Sequence, residues 1–355
     1  MKKCHHPWEG MTINPQGYII HCCETPKRYV AHIDEVSSLT DIFNNHPSFK
    51  KFRDSIPASC LRCYAREEKG IATAKSSPAL STEWNGKIRS LEYTMSNLCN
   101  ATCSMCSSYF SSSWFKYDKE DPPSSLSDSA FKKILDIVPD IEHLTIKGGE
   151  PFLDKRNLIV LKKFLEKSDG KVDIITNGSM MKEDCFDTRV HLGFSVDGTY
   201  DVYKWIRSTD WDTVINNAKR FYDETGKGVS IESCISLHNF FHVEEFYNFF
   251  IDKPYIYRIN QNHFVDNPPK CSIHCLPDDI LLEQRDKNLK VIEKYKDNPK
   301  VCRNNYSVMS SILPRVDTTG KYTKENAFNH IDFVNGIRGF DLLDYIPELR
   351  EWRGT

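Results

Sequence analysis

From residue 88 onward the chain alternates between two hydrophobic periods, and that alternation limits the folds open to it. Residues 91–95, 143–146, 171–176, 192–196, 229–236 and 256–260 are short apolar runs of the kind that form strands. Between them, 128–138, 155–167, 211–225 and 243–251 repeat their apolar residues at helical spacing. Repeated strand–helix units pack as a parallel sheet with helices outside. Six such strands are too few for a closed eight-stranded barrel. The fold class is therefore α/β, with a small Cys-rich module before the sheet and a mostly helical tail after it.

The first of these strands runs into Cys99, Cys103 and Cys106, a C-x3-C-x2-C triplet. Three thiolates on one short loop do not close the four-ligand site of structural zinc. They can hold three irons of a four-iron cluster and leave the fourth open for chemistry. The second strand runs into Lys147-Gly148-Gly149-Glu150-Pro151.

With the triplet after the first strand and Gly-Gly-Glu after the second, the chain resembles the radical S-adenosylmethionine (SAM) superfamily. The resemblance implies an open, partial (β/α)6 barrel. It implies that Cys99, Cys103 and Cys106 ligate a [4Fe-4S] cluster whose fourth iron is chelated by SAM. One electron from that cluster would split SAM, and the 5′-deoxyadenosyl radical would take hydrogen from a substrate. Gly148 and Gly149 would let the backbone approach SAM closely, and Glu150 would accept from its ammonium group. Met105 stands where the family often has an aromatic residue, so packing against adenine survives and stacking is lost. Asn177, Ser195 and Asp197 end later strands, and Ser195 and Asp197 are candidates for the SAM ribose or carboxylate.

Residues 1–70 carry a second constellation. A hairpin is expected over 12–20 and a helix over 39–55. Cys4, Cys22 (with Cys23 as its alternative), Cys60 and Cys63 make a four-thiolate set that suits zinc by spacing alone. The arrangement resembles a SPASM/twitch module placed before the barrel, which implies an auxiliary [4Fe-4S] cluster. His5, His6 and His21 are then expected as neighbours that tune it. The tail motifs Ile331-Asp332, Gly336-Ile337-Arg338 and Ile346-Pro347-Glu348-Leu349 resemble the same group. The domains expected are the module at 1–70, a linker at 71–87, the barrel at 88–265 and the helical extension at 266–355, with helices at 278–297 and 326–346. Segment 118–129 is a loop expected to cover the site.

Of the remaining cysteines, Cys234 lies in the fifth strand, where a thiol can return a hydrogen atom to a substrate radical. Cys271-Ser-Ile-His274-Cys275 offers a metal pair or a substrate-facing loop, but Cys185, Cys271, Cys275 and Cys302 read better as thiols without a role. Glu232, Lys147, Asn260, Gln261, Asn262 and His263 are candidates for the barrel mouth.

A formal net charge of -2 offers no basic surplus for a nucleic-acid backbone. No run approaches the ~18 apolar residues of a membrane span, and thirteen cysteines in a reducing compartment argue for metal ligation over disulfides. A cytoplasmic oxidoreductase or epimerase acting on a small polar, sugar-like substrate is expected, served by an electron donor such as a flavodoxin or ferredoxin. A peptide-modifying maturase, a zinc-stapled binding protein and an iron–sulfur electron carrier are the alternatives.

Overall fold

The computed structural model describes residues 4–24, 29–55, 60–68, 70–71, 73, 85–315, 317 and 319–355. The chain divides into two compact units, one of residues 1–100, 107–176 and 181–192, the other of 101–106, 177–180 and 193–355.

In the first unit six strands lie in the order β3-β2-β1-β4-β5-β6. They are β1 (Gly10–Ile13), β2 (Tyr18–Ile20), β3 (Tyr29–His32), β4 (Ser90–Thr94), β5 (His143–Lys147) and β6 (Lys171–Thr176). The N-terminal hairpin forms as expected. Asn14 Oδ1 closes its turn by accepting from the Gln16 and Tyr18 backbone N–H groups at 3.1 and 2.9 Å. β1 also pairs in parallel with β4, Gly10 opposite Ser90 through Ile13 opposite Tyr93. The cysteine-rich hairpin and the following α/β strands thus share one sheet. β4, β5 and β6 continue it in parallel register.

Strand alternation sorts the side chains. β4 buries Leu91 and Tyr93 and leaves Ser90, Glu92 and Thr94 half-buried. β5 buries Leu144 and Ile146 and leaves His143, Thr145 and Lys147 half-buried. The apolar face lies under helices Asp128–Ile137 and Lys155–Lys167, whose buried residues include Ile134, Ile137, Val160, Leu161 and Phe164. Ser127 and Asp154 start these helices by accepting from Ala130 N and Arg156 N at 3.0 and 3.1 Å.

In the second unit β7 (Val190–Ser195, from Gly193 onward), β8 (Val229–Ile235) and β9 (Ile256–Phe264) pair in parallel. β8 buries Val229, Ile231, Ser233 and Ile235 and leaves Ser230, Glu232 and Cys234 half-buried. Helices Tyr200–Arg207, Trp211–Thr225, Val243–Phe250, Asp278–Lys294, Asn304–Ser310, Lys324–Arg338 and Pro347–Gly354 complete the unit.

Several expected elements are corrected. The helix read over 39–55 is two, Leu39–Asn45 and Pro47–Asp54. Proline at the second helix's first position holds His46 extended and ends the first. The helix read over 326–346 stops at Arg338, because Gly339 caps it in the left-handed region at φ +79°. Tyr200–Arg207, which the sequence reading leaves unassigned, is a helix. Most of the linker read at 71–87 lies outside the described residues.

Inside the N-terminal segment, Phe43, Phe49 and Phe52 are buried, and the His21 ring packs on Phe49 and Phe52 at 4.9 and 4.6 Å. Phe49→Ala should cost about 3–5 kcal/mol in denaturant unfolding, the range for a truncated core aromatic. A loss below ~1 kcal/mol would show that this aromatic cluster does not hold the segment together.

Candidate functional site

Within the first unit, the loop leaving β4 and the loop leaving β5 are hydrogen-bonded to each other. Gly149 N donates to Ser96 O at 3.2 Å, and Glu150 N to Leu98 O at 2.7 Å. A Cβ at Gly149 would stand 2.3 Å from Leu98 O and 2.6 Å from Asn97 O, so only glycine fits. Glu150 is buried, and its carboxylate accepts from Phe152 N at 3.2 Å and from the Thr176 hydroxyl at 2.8 Å. Cys99 follows directly: its N–H donates to Ser112 Oγ at 3.1 Å, and its carbonyl accepts from Ser113 Oγ at 2.6 Å.

Buried Asn97, which the sequence did not single out, braces this loop. Its amide donates to Ser108 O at 3.0 Å and its Oδ1 accepts from Ser124 N at 2.8 Å. The loop expected to cover the site is thereby pinned at Ser124. It is pinned again where Leu126 N donates to Met95 O at 2.9 Å.

The polar face of the same sheet carries a connected set of charges. Lys147 Nζ pairs with Glu92 at 3.1 Å. His143 Nε2 lies 2.6 Å from Asp173 Oδ2, and His191 Nδ1 lies 3.4 Å from its Oδ1. The hydrogen bond that His143 donates to Asp173 raises the His143 pKa against the opposing effect of burial. Burial alone would raise Asp173, but the two histidines hold it well below the ordinary carboxylate range. Sequence reasoning found Lys147 and missed Glu92, His143, Asp173 and His191. The available signal was a polar residue at alternate positions of otherwise apolar strands.

The N-terminal cysteines all lie in this unit. Cys4 and Cys60 are half-buried, Cys22 and Cys63 are buried, and Cys23 is exposed. Cys22 ends β2's extension, and Cys60 and Cys63 open helix Leu61–Glu68. Burial, then the Glu24 carboxylate, pushes the Cys63 thiol up, and Arg66 reaches Glu24 at 3.9 Å. The segment after Cys22 therefore lies against the Cys60–Cys63 turn. His6 is held neutral, its pKa pushed down to about 4 by burial. His21 Nε2 lies 3.1 Å from Ser48 Oγ. His5 is half-buried beside the short helix His6–Glu9.

In the second unit, residues 101–106 are gripped by the helix Tyr200–Arg207 and by the tail. Thr102 N donates to Ser208 Oγ and Ser104 N to Ile206 O, each at 2.7 Å. Arg338 donates to Thr102 Oγ1 at 3.0 Å and also to Thr102 O. Its Nε donates to Trp205 O at 2.8 Å. The tail motif around Arg338 thus has a mechanical use. Cys106 N donates to Cys103 O at 3.0 Å, and Met105 is half-buried in this turn.

Arg207 connects this loop to β8. Its guanidinium lies 3.8 Å from Cys103 Sγ and pairs with Asp197, which is 1% exposed. Burial would lower the Arg207 pKa, but the Asp197 carboxylate and Cys103 raise it further and keep the charge. Asp197 Oδ1 accepts from Cys234 N at 2.7 Å. The Cys234 thiol is pushed up to about 12, by burial first and then by Asp197. The path Cys103–Arg207–Asp197–Cys234 is continuous.

The other expected residues are placed as follows. Ser195 is half-buried at the end of β7, opposite Glu232. Asn177 is buried, and its Oδ1 accepts from Ser179 N at 2.8 Å. Asn260 Nδ2 donates to Glu232 at 2.6 Å. Gln261 is buried, with its N–H on Asn305 Oδ1 at 2.9 Å, and His263 is exposed. The Asn262 side chain lies outside the described residues.

Residues 93–250 match the model of the radical SAM superfamily, and residues 4–64 match the model of the SPASM iron–sulfur cluster-binding domain. The chain thus contains a radical SAM domain and an N-terminal SPASM-type domain, the combination of a radical SAM protein with an auxiliary module. Such proteins hold [4Fe-4S] clusters and use SAM. No curated relative matches. Among solved structures, the chain is 20% identical to Streptococcus suis SuiB bound to precursor peptide SuiA, with a TM-score of 0.44 over 59% of this chain and 47% of that one. It is 16% identical to anSMEcpe with bound AdoMet, with a TM-score of 0.46 over 58% of this chain and 61% of that one. The chain thus spans about half to three fifths of these two proteins. Likenesses this loose carry no functional argument. Among the described residues, no helix is long and apolar enough to cross a membrane.

The His143–Asp173 pair gives a signed pH dependence. The raised histidine contributes stability below its ordinary 6.5, lost as pH rises through its folded value. The depressed aspartate contributes above its ordinary 3.8, lost as pH falls through its folded value. The pair is most stabilising between those two ordinary values. Asp173→Asn should lower the His143 pKa in an NMR titration. An unchanged His143 titration would refute the coupling.

Proposed function

We propose that the chain is a radical SAM enzyme that removes a hydrogen atom from a small polar substrate and returns one from Cys234. The path from Cys103 through Arg207 and Asp197 to Cys234 carries this reading, because it ties the cluster loop to a protonated thiol on a polar strand face.

The residues fit the group they would hold. Cys99, Cys103 and Cys106 are soft donors on one loop whose backbone is held by hydrogen bonds. The Arg207 guanidinium beside Cys103 Sγ compensates a thiolate charge. Gly148 and Gly149 let this loop pack directly on the Ser96–Leu98 backbone, where a Cβ would stand 3.0 and 2.3 Å from a carbonyl oxygen. When bound, the cluster and SAM supply the primary radical. Glu150 would take the methionyl ammonium, Met105 would pack on adenine, and Asn177, Ser195 and Asp197 would frame the rest. Asp197 also positions Arg207, since its carboxylate is committed to Arg207 and Cys234 N.

Cys234 stays a thiol at neutral pH, so it can give a hydrogen atom to a substrate radical, and the thiyl left behind would regain one electron from a ferredoxin- or flavodoxin-type donor and one proton from solvent. Glu232 and Asn260 on neighbouring strands offer polar contacts suited to hydroxyl or amide groups. Cys4, Cys22, Cys60 and Cys63 would hold the auxiliary [4Fe-4S] cluster, fed by a small cytoplasmic electron-transfer protein such as a flavodoxin or ferredoxin.

Anaerobically prepared protein should hold about 8 iron per chain, and the variant Cys99→Ala/Cys103→Ala/Cys106→Ala about 4. SAM cleavage under a strong reductant should vanish in the variant. Persistent cleavage would sink the reading. Cys234→Ala should still form 5′-deoxyadenosine yet lose incorporation of solvent deuterium into the product. Unchanged deuterium incorporation would remove Cys234 from the chemistry.

A further inference from the structure

Beneath the cluster loop, the second unit buries three metal-binding side chains that the reading above does not use. His238 follows β8, Cys271 ends the short turn Pro269–Cys271, and His330 lies on the helix Lys324–Arg338. Their exposures are 0%, 0% and 4%. One donor atom from each lies within 4.8 Å of the other two. The sequence gives no hint of the set, because its members are far apart along the chain and follow no spacing motif.

Ser104, between Cys103 and Cys106, is their common neighbour. Its carbonyl can only accept, so His330 donates to it from Nε2 at 2.6 Å. His330 Nδ1 is therefore the lone-pair nitrogen, and it is buried with no hydrogen-bond partner. His238 Nδ1 lies 3.0 Å from Ser104 Oγ, and its buried Nε2 also has no partner. Cys271 Sγ lies 3.5 Å from Ser104 O. An imidazole that hydrogen-bonds a carbonyl through one nitrogen and offers the other is the usual arrangement around a bound metal. Burial keeps both rings neutral, the form that ligates.

We propose that His238, Cys271 and His330 bind one zinc ion, while Ser104 holds the opposite nitrogen of each ring. Two imidazoles and one thiolate are a donor set that zinc favours. Binding releases the Cys271 proton to solvent, and no electron moves. A cavity of ≈ 400 Å³ lined by Lys270, Lys321, Asn329, His330 and Phe333 gives the ion a route to His330. The ion would staple the loop of Cys103 and Cys106 to two tail elements without touching the cluster.

The test uses the full chain, prepared anaerobically with its iron in place from zinc-supplemented growth. Elemental analysis should find about one zinc per chain. Zinc-edge X-ray absorption should show a mixed imidazole and sulfur shell. Cys271→Ser and His330→Gln, which keep hydrogen-bonding groups beside Ser104, should each lower zinc by at least about tenfold while iron is unchanged. Wild-type protein without zinc overturns the proposal and leaves the three residues as a hydrogen-bonded clamp on Ser104. An all-sulfur shell also overturns it, by placing the zinc at the N-terminal cysteines. If the variants fail to fold, the wild-type absorption spectrum alone decides.

Discussion

The ion pair between Arg207 and Asp197 is the contact that joins the Cys103 loop to β8 in the second unit. Asp197 is buried and Arg207 is largely covered, and a buried charge without its partner is strongly destabilising. The pair also has directional neighbours at each end. Arg207 reaches Cys103 Sγ, and Asp197 fixes the Cys234 backbone. Nothing about the pair serves stability better than well-packed apolar residues would. Its retention makes sense if a positive charge is wanted beside a cluster sulfur and a thiol is wanted at a fixed place on β8.

A second constraint acts in the first unit. Its cluster-loop residues and its Gly-Gly-Glu loop share backbone hydrogen bonds at Ser96 and Leu98, and Asn97 braces them from behind. The N-terminal hairpin adds its strands to the same sheet through β1 and β4. The hairpin that carries Cys22 is therefore anchored by main-chain bonds rather than by a tether alone. Register between those strands is fixed by burial of Met11 and Ile13 on one side and Leu91 and Tyr93 on the other.

Much of this was legible in the residues. Strand β6 and helices Lys155–Lys167 and Trp211–Thr225 fall where the periodicity put them, because each is long and strongly patterned. The triplet and the Gly-Gly-Glu loop were visible because their chemistry demands adjacent residues. What stayed hidden depends on contacts between distant segments. Arg207, Asn97 and the His143–Asp173–His191 set look like ordinary polar residues until strands align them. The helix Tyr200–Arg207 was masked by the Asp-Gly pair before it, which reads as a turn. The His238–Cys271–His330 set has no sequence signature at all.

If Cys103 holds a cluster, the Arg207 charge kept in place by Asp197 acts on it. The direct measurement is the midpoint potential of that cluster in the double variant Arg207→Gln/Asp197→Asn, which removes the charge pair without leaving either ion buried alone. Hydrogen bonds and positive charge near cluster sulfurs favour the reduced state. The double variant should show a more negative potential with unchanged iron content. An unchanged potential at full iron content would contradict it and reduce the ion pair to a structural contact.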